Sequence, residues 1–142
     1  MKYISLLMLF ILFVQCSNIK SVSDGSFLNF DDKTIQYVLK KNLAGESNKN
    51  IIYFTSGFEN ENIEIKVGSD IVYSQKTNTI SQLSLAHVQV IQNVNTISIK
   101  FDNSDIFLNH DNLIKYKFIY ISKLMNKKKY LIEYSNKSRI FR

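Results

Sequence analysis

Hydrophobic and polar positions divide this chain into three regimes. The first is an apolar run, Ile4 to Val14, set behind Met1 and Lys2 and stopped by Gln15, Cys16, Ser17 and Asn18. A membrane-spanning helix needs about 20 apolar residues, whereas an export signal needs a basic start and about 7–15. The run ISLLMLFILFV has the second length, so residues 1–15 are expected to be a signal peptide. The polar, unpatterned stretch from Ser17 to Gly25 then predicts a flexible tether within residues 16–30. The second regime is DDKTIQYVLKKNLAG, in which Ile35, Val38, Leu39 and Leu43 fall at helical spacing. Asp31 or Asp32 is placed to cap its start and Gly45 lies past its end, which predicts a short helix within residues 31–44. The alternation Ile35, Tyr37, Leu39 also fits a strand.

From Asn50 onward the period is two. Ile51 to Thr55 reads as a strand, and Ile63, Ile65 and Val67 alternate with Glu64 and Lys66 as a half-buried strand requires. Gly68-Ser69 supplies a hairpin turn into Asp70 to Tyr73. Thr77 to Gln82 reads as a loop, and Leu85, His87, Val88 and Val90 fit a strand weakly. Ile97, Ile99 and Phe101 return through Asp102-Asn103-Ser104 into Ile106 and Leu108 as a second hairpin. Residues 115–121 and 130–134 make a third, joined by a loop holding Asn126 and Lys127 to Lys129, and Arg139 to Phe141 adds a last edge. Strands at this spacing without crossover helices predict a mainly β protein: one antiparallel β-sandwich over residues 31–142, Ig-like or Greek-key in topology.

Length and composition agree with a single domain, since 142 residues support one core and a hydrophobic content of 45% argues against disorder. Charge changes the picture at the C-terminal end. Nine of the 18 basic residues (Lys115, Lys117, Lys123, Lys127, Lys128, Lys129, Lys137, Arg139, Arg142) fall after residue 111, against one acid, Glu133. For an exported protein the polyanions at hand are lipid head groups and lipopolysaccharide rather than nucleic acid, while a solvated strand face explains the same residues more plainly.

The segment Phe13-Val14-Gln15-Cys16 resembles the lipobox of bacterial lipoproteins, in which the cysteine receives a diacylglyceryl group before cleavage. The resemblance implies lipidation at Cys16, with membrane lipid as the first partner. Each buried acyl methylene adds about 0.8 kcal/mol of membrane affinity, so two or three chains anchor firmly. Cys16 is the only cysteine, and its lipidation leaves the mature chain without a disulfide. The run GFENENIEIKVGSDIVYSQK, followed by ISIKFDNS and KYKFIYIS, resembles small lipoprotein-like sandwich proteins of the Bacteroidota. That likeness is one of patterning over residues 50–141; it implies a fold and carries no activity.

Candidate chemistry is sparse. His87 and His110 lack further ligands at zinc spacing. His110-Asp111 with Asp102 and Asp105 is the densest polar cluster and offers oxygens to calcium, without the alternate spacing of a dedicated calcium loop. Glu59, Glu61 and Glu64, with Asn60 and Asn62, read as a solvated acidic loop rather than as an acid/base pair. Tyr116, Phe118 and Tyr120 alternate with Lys115 and Lys117 ahead of Ile119 and Ile121. Stacking on sugars or on a partner is one use of such a stripe, and core packing is the simpler one. The Asn136-Lys137-Ser138 sequon has no role in a bacterial host.

No catalytic, cofactor or metal residue is therefore expected. The expected protein is a lipid-anchored, non-enzymatic binding or assembly module at a bacterial envelope, the outer membrane favoured, with an envelope protein as a further partner. The alternatives are an inhibitor or immunity-type protein that presents Gly57 to Asn62 to an enzyme's cleft, and an envelope-glycan enzyme with converging carboxylates.

Overall fold

The computed structural model describes residues 19–23, 32–102, 104–124, 129–139 and 141. The expected signal peptide, Cys16, most of the expected tether and the loop holding Asn126 to Lys128 lie outside the described residues. In chain order the elements are β1 (Ile19–Ser23), α1 (Asp32–Lys41), β2 (Lys49–Phe54), β3 (Glu61–Val67), β4 (Asp70–Thr77), β5 (His87–Gln92), β6 (Ile97–Phe101), β7 (Ser104–Phe107), α2 (His110–Lys115), β8 (Phe118–Leu124) and β9 (Lys129–Ser135). The protein is mainly β.

The strands form two sheets, one ordered β1-β9-β8-β2-β5 and the other β4-β3-β6-β7. All pairings in the second sheet are antiparallel. The first sheet departs from the antiparallel expectation, because β2 pairs with β8 and β1 with β9 in parallel. A parallel neighbour needs a crossover of a dozen or more residues, normally a helix. Here the excursion through the other sheet serves as that crossover, so the absence of helical patterning between strands did not exclude it.

Register decides what each strand buries. Ile63, Ile65, Ile97, Ile99, Phe101 and Ile106 of the four-stranded sheet share one hydrophobic cluster with Ile52, Phe54, Ile119, Ile121, Tyr130 and Ile132 of the other. The opposite face of the five-stranded sheet carries Ile51, Tyr53, Phe118 and Tyr120, covered by Leu39, Val38 and Ile35 of α1 and by Phe141. Being buried on both faces, β2 and β8 read as continuous apolar runs, IIYF and FIYI, rather than alternating ones. Phe118 and Tyr120 are therefore core, which is what the simpler reading of the aromatic stripe held. Full burial of side chains of this size is worth about 1.5–3 kcal/mol each.

Four local expectations change. The strand predicted from residue 115 begins at Phe118, because His110–Lys115 is a short helix capped by Asn109, whose side chain accepts from the Asn112 amide at 3.2 Å. Six residues with one buried position, Leu113, are too few to reveal a helical period. Helix α1 ends in a Schellman arrangement, with Ala44 N donating to Leu39 O and Leu43 N to Lys40 O. The left-handed residue there is Leu43, φ 54°, rather than Gly45. Part of the expected tether is ordered: Ile19–Ser23 pairs with Tyr130 to Tyr134. Arg139 lies in no strand; its guanidinium instead meets Glu133 at 2.8 Å and sits 4.0 Å over the Tyr120 ring.

Candidate functional site

The start of β3 organises the polar chemistry. Gly57 turns the chain out of β2 with φ 89°, pressed so closely on the β8 backbone that a Cβ there would lie 2.1 Å from Lys123 O. Phe58 follows into the core, stacked against Phe101 and Tyr130. This tight entry delivers Glu61 to the interior. Glu61 is 1% exposed, its Oε2 accepts from Lys123 Nζ at 2.7 Å, and its Oε1 accepts from the Tyr130 hydroxyl. The expectation of a wholly solvated acidic loop thus fails at Glu61, while Glu59 stays exposed. Composition alone marked all three glutamates as wet; the alternating register turned one of them inward. Burial, with the adjacent Glu61 carboxylate, holds the Tyr130 phenol well above its ordinary pKa. Glu61 belongs to one sheet and its two partners to the other, so this cluster clasps the sheets together.

Asn62, the next residue, points outward and holds the rim of the open face. Its backbone amide and Nδ2 donate to Asp102 Oδ2 and Oδ1, at 3.3 and 2.6 Å. Across the outer surface of the four-stranded sheet the register aligns Ser74, Glu64, Lys100 and Asp105 in one row. Ile71, Lys66, Ser98 and Phe107 form the next. Lys66 and Glu64 make an ion pair at 3.3 Å. Two adjoining shallow depressions of about 150 and 320 Å³ lie on this face and share Glu64 and Lys100. Phe107 lines the smaller one and is 72% exposed.

The other sequence candidates do not converge. His87 stacks on Tyr73 at a centroid distance of 3.9 Å and meets Gln89 at 3.3 Å, and burial lowers its pKa below the ordinary histidine value. The expected acid cluster is dispersed: Asp102 holds Asn62, Asp105 lies on the open face, and His110 and Asp111 belong to α2. Among the described residues no three His, Cys, Asp or Glu side chains gather as a metal site. No described helix is long and apolar enough to cross a membrane.

Four residues of the basic C-terminal block, Lys115, Lys117, Lys123 and Arg139, are likewise engaged in structural contacts. Lys115 lies 5.0 Å over the Tyr116 ring, and Lys117 Nζ donates to Glu46 O and Lys49 O, its pKa lowered by burial. The sequon residue Asn136 accepts from Lys117 N at 2.9 Å and donates to Lys115 O at 3.0 Å, tying β9 to the end of α2. Tyr53 and Tyr120 are both pushed above the ordinary tyrosine pKa by burial, Tyr53 to about 12.

Sequence reasoning missed the open face. Its signal was present in the outward alternation of Glu64 with Lys66, of Ser98 with Lys100 and of Asp105 with Phe107. Only pairing register joins those three strands into one surface. The chain matches no family model, no curated protein and no solved structure.

Proposed function

We infer that the protein is a lipid-anchored, non-enzymatic binding module of a bacterial cell envelope, tied to the outer membrane through Cys16, its two sheets forming a Greek-key sandwich. The observation that carries this reading is the leader: Lys2, the apolar run Ile4 to Val14 and Cys16 in immediate succession. A thiol at that position is the only group in the chain able to carry a thioether-linked lipid. Support for binding rather than chemistry comes from the open face, where Glu64 and Asp105 are set among lysines and serines on an exposed surface rather than in an enclosed apolar pocket. Strand β1 starts at Ile19, three residues after Cys16 in the chain, a span of at most about 11 Å. A lipidated sulfur would then keep the domain against the bilayer.

Mass spectrometry of the mature N-terminus, on the wild type and on Cys16→Ser, tests this. The expected wild-type product begins at a diacylated Cys16 and floats with membranes, while Cys16→Ser gives an unprocessed chain without lipid. A wild-type product that retains Met1 and stays in the cytosol refutes the reading.

A further inference from the structure

We propose that the outer face of the four-stranded sheet binds a neutral oligosaccharide, stacked on Phe107 and hydrogen-bonded by the row Glu64, Lys100 and Asp105. The proposal rests on the reading of the chain as a binding module and names the ligand class of that surface.

Shape and chemistry select the class together. The larger depression, about 320 Å³, is within the range of small-ligand sites, and it is open along its length rather than closed around a compact ligand. The row from Ile71 to Phe107 crosses four strands, three spacings or about 14 Å, the reach of a short oligosaccharide. Three carboxylates, Glu64, Asp102 and Asp105, stand with three ammonium groups, Lys66, Lys100 and Lys76, the last opposite Asn62 in the register, so the face carries no net charge to attract a phosphate or a metal cation. Nucleic acid requires an excess of basic groups along its track, which this balance denies.

A balanced mixture of fixed acceptors and donors matches hydroxyl groups, each of which both donates and accepts. Ser98 and Ser74 extend that mixture along the two rows. The face is too polar at its centre for a protein partner, whose contact core sheds charged residues. Phe107 supplies the remaining element. Its exposed ring borders the charged row at the sheet edge, where the apolar C–H face of a pyranose can lie flat on it.

The test uses the full-length protein in detergent micelles, titrated with chitotriose, cellotriose and maltotriose by calorimetry and by amide chemical shifts. The expected result is saturable binding of at least one of the three, with shifts centred on β3, β6 and β7. Phe107→Ala should weaken it up to about tenfold. Asp105→Asn should also weaken it, whereas Tyr37→Ala, an equally exposed aromatic on α1, should leave it unchanged. Raising salt from about 0.05 to about 0.5 M should leave the affinity of a neutral ligand within about twofold, because there is no ligand charge to screen. The proposal is overturned if none of the three sugars saturates, if Phe107→Ala binds as the wild type does, or if only anionic oligosaccharides bind and do so with steep salt dependence. Flotation of the same preparations with membrane vesicles reports anchoring separately, so floating protein that binds no sugar refutes the ligand and leaves the envelope reading standing.

Discussion

Replacing Lys123 with methionine removes the ammonium from the clasp and leaves the Glu61 carboxylate, 1% exposed, with only the Tyr130 hydroxyl as partner among the described residues. Breaking a buried pair from one side costs about 3–5 kcal/mol, because an uncompensated charge stays in the interior. The reverse truncation, Glu61→Gln, is less severe. The Lys123 side chain is 25% exposed and regains water, and the glutamine keeps an acceptor for Tyr130. What is lost is mainly one charge-assisted hydrogen bond, about 1.5–3 kcal/mol. The double variant Glu61→Gln/Lys123→Met holds no buried charge and should be more stable than Lys123→Met alone.

Urea unfolding followed by far-ultraviolet circular dichroism measures all three variants, with equal denaturant slopes as the condition for comparing them. The order expected is wild type, Glu61→Gln, then the double variant above Lys123→Met. If Lys123→Met costs no more than Glu61→Gln, or if the double variant is the least stable of the set, the asymmetry argued from burial is wrong.

Gly57→Ala forces a side chain into a left-handed backbone and against the Lys123 carbonyl, so it should destabilise by about 2 kcal/mol or more; an unchanged thermal midpoint would show that the β2–β3 entry yields easily. For His87, burial depresses the folded-state pKa below the unfolded value near 6.5. Below that pH the unfolded chain takes up a proton that the folded chain resists, so this site lowers stability as pH falls from 6.5 toward the folded-state pKa and contributes nothing above about 7. His87→Gln should flatten that part of a denaturant midpoint-versus-pH curve, and a wild-type slope surviving in the variant would assign it elsewhere.

The alternating segments transmitted most of their structure through local patterning. Ile63, Ile65 and Val67 marked an inner face, Gly68-Ser69 marked a turn, and β3 with β4 form the hairpin this implies. The spacing of Ile35, Val38 and Leu39 suggested α1 but left the alternation Ile35, Tyr37, Leu39 as a rival strand, and the packing of Ile35, Val38 and Leu39 onto the five-stranded sheet decides for the helix. Helix α2 was not legible, because His110–Lys115 is fixed from outside: Asn50 Nδ2, buried in β2, donates to Leu113 O at 2.8 Å and to Tyr116 O at 2.6 Å. Such a cap comes from more than 60 residues away and leaves no trace in the local pattern.

By itself the sequence determined which residues alternate, where the chain turns and that the protein is mainly β. Periodicity and turn chemistry are short-range properties, set by backbone geometry within a few residues. Tertiary structure alone decided that β2 and β8 run parallel, that Glu61 turns inward while Asn62 and Glu64 turn outward, and that Phe107 shares a surface with Lys66 and Ser98. Those outcomes depend on strand register between segments distant in the chain. A slip of one residue exchanges the two faces of a strand, so nothing short of the assembled sheets could say which charges would be buried and which would face outward.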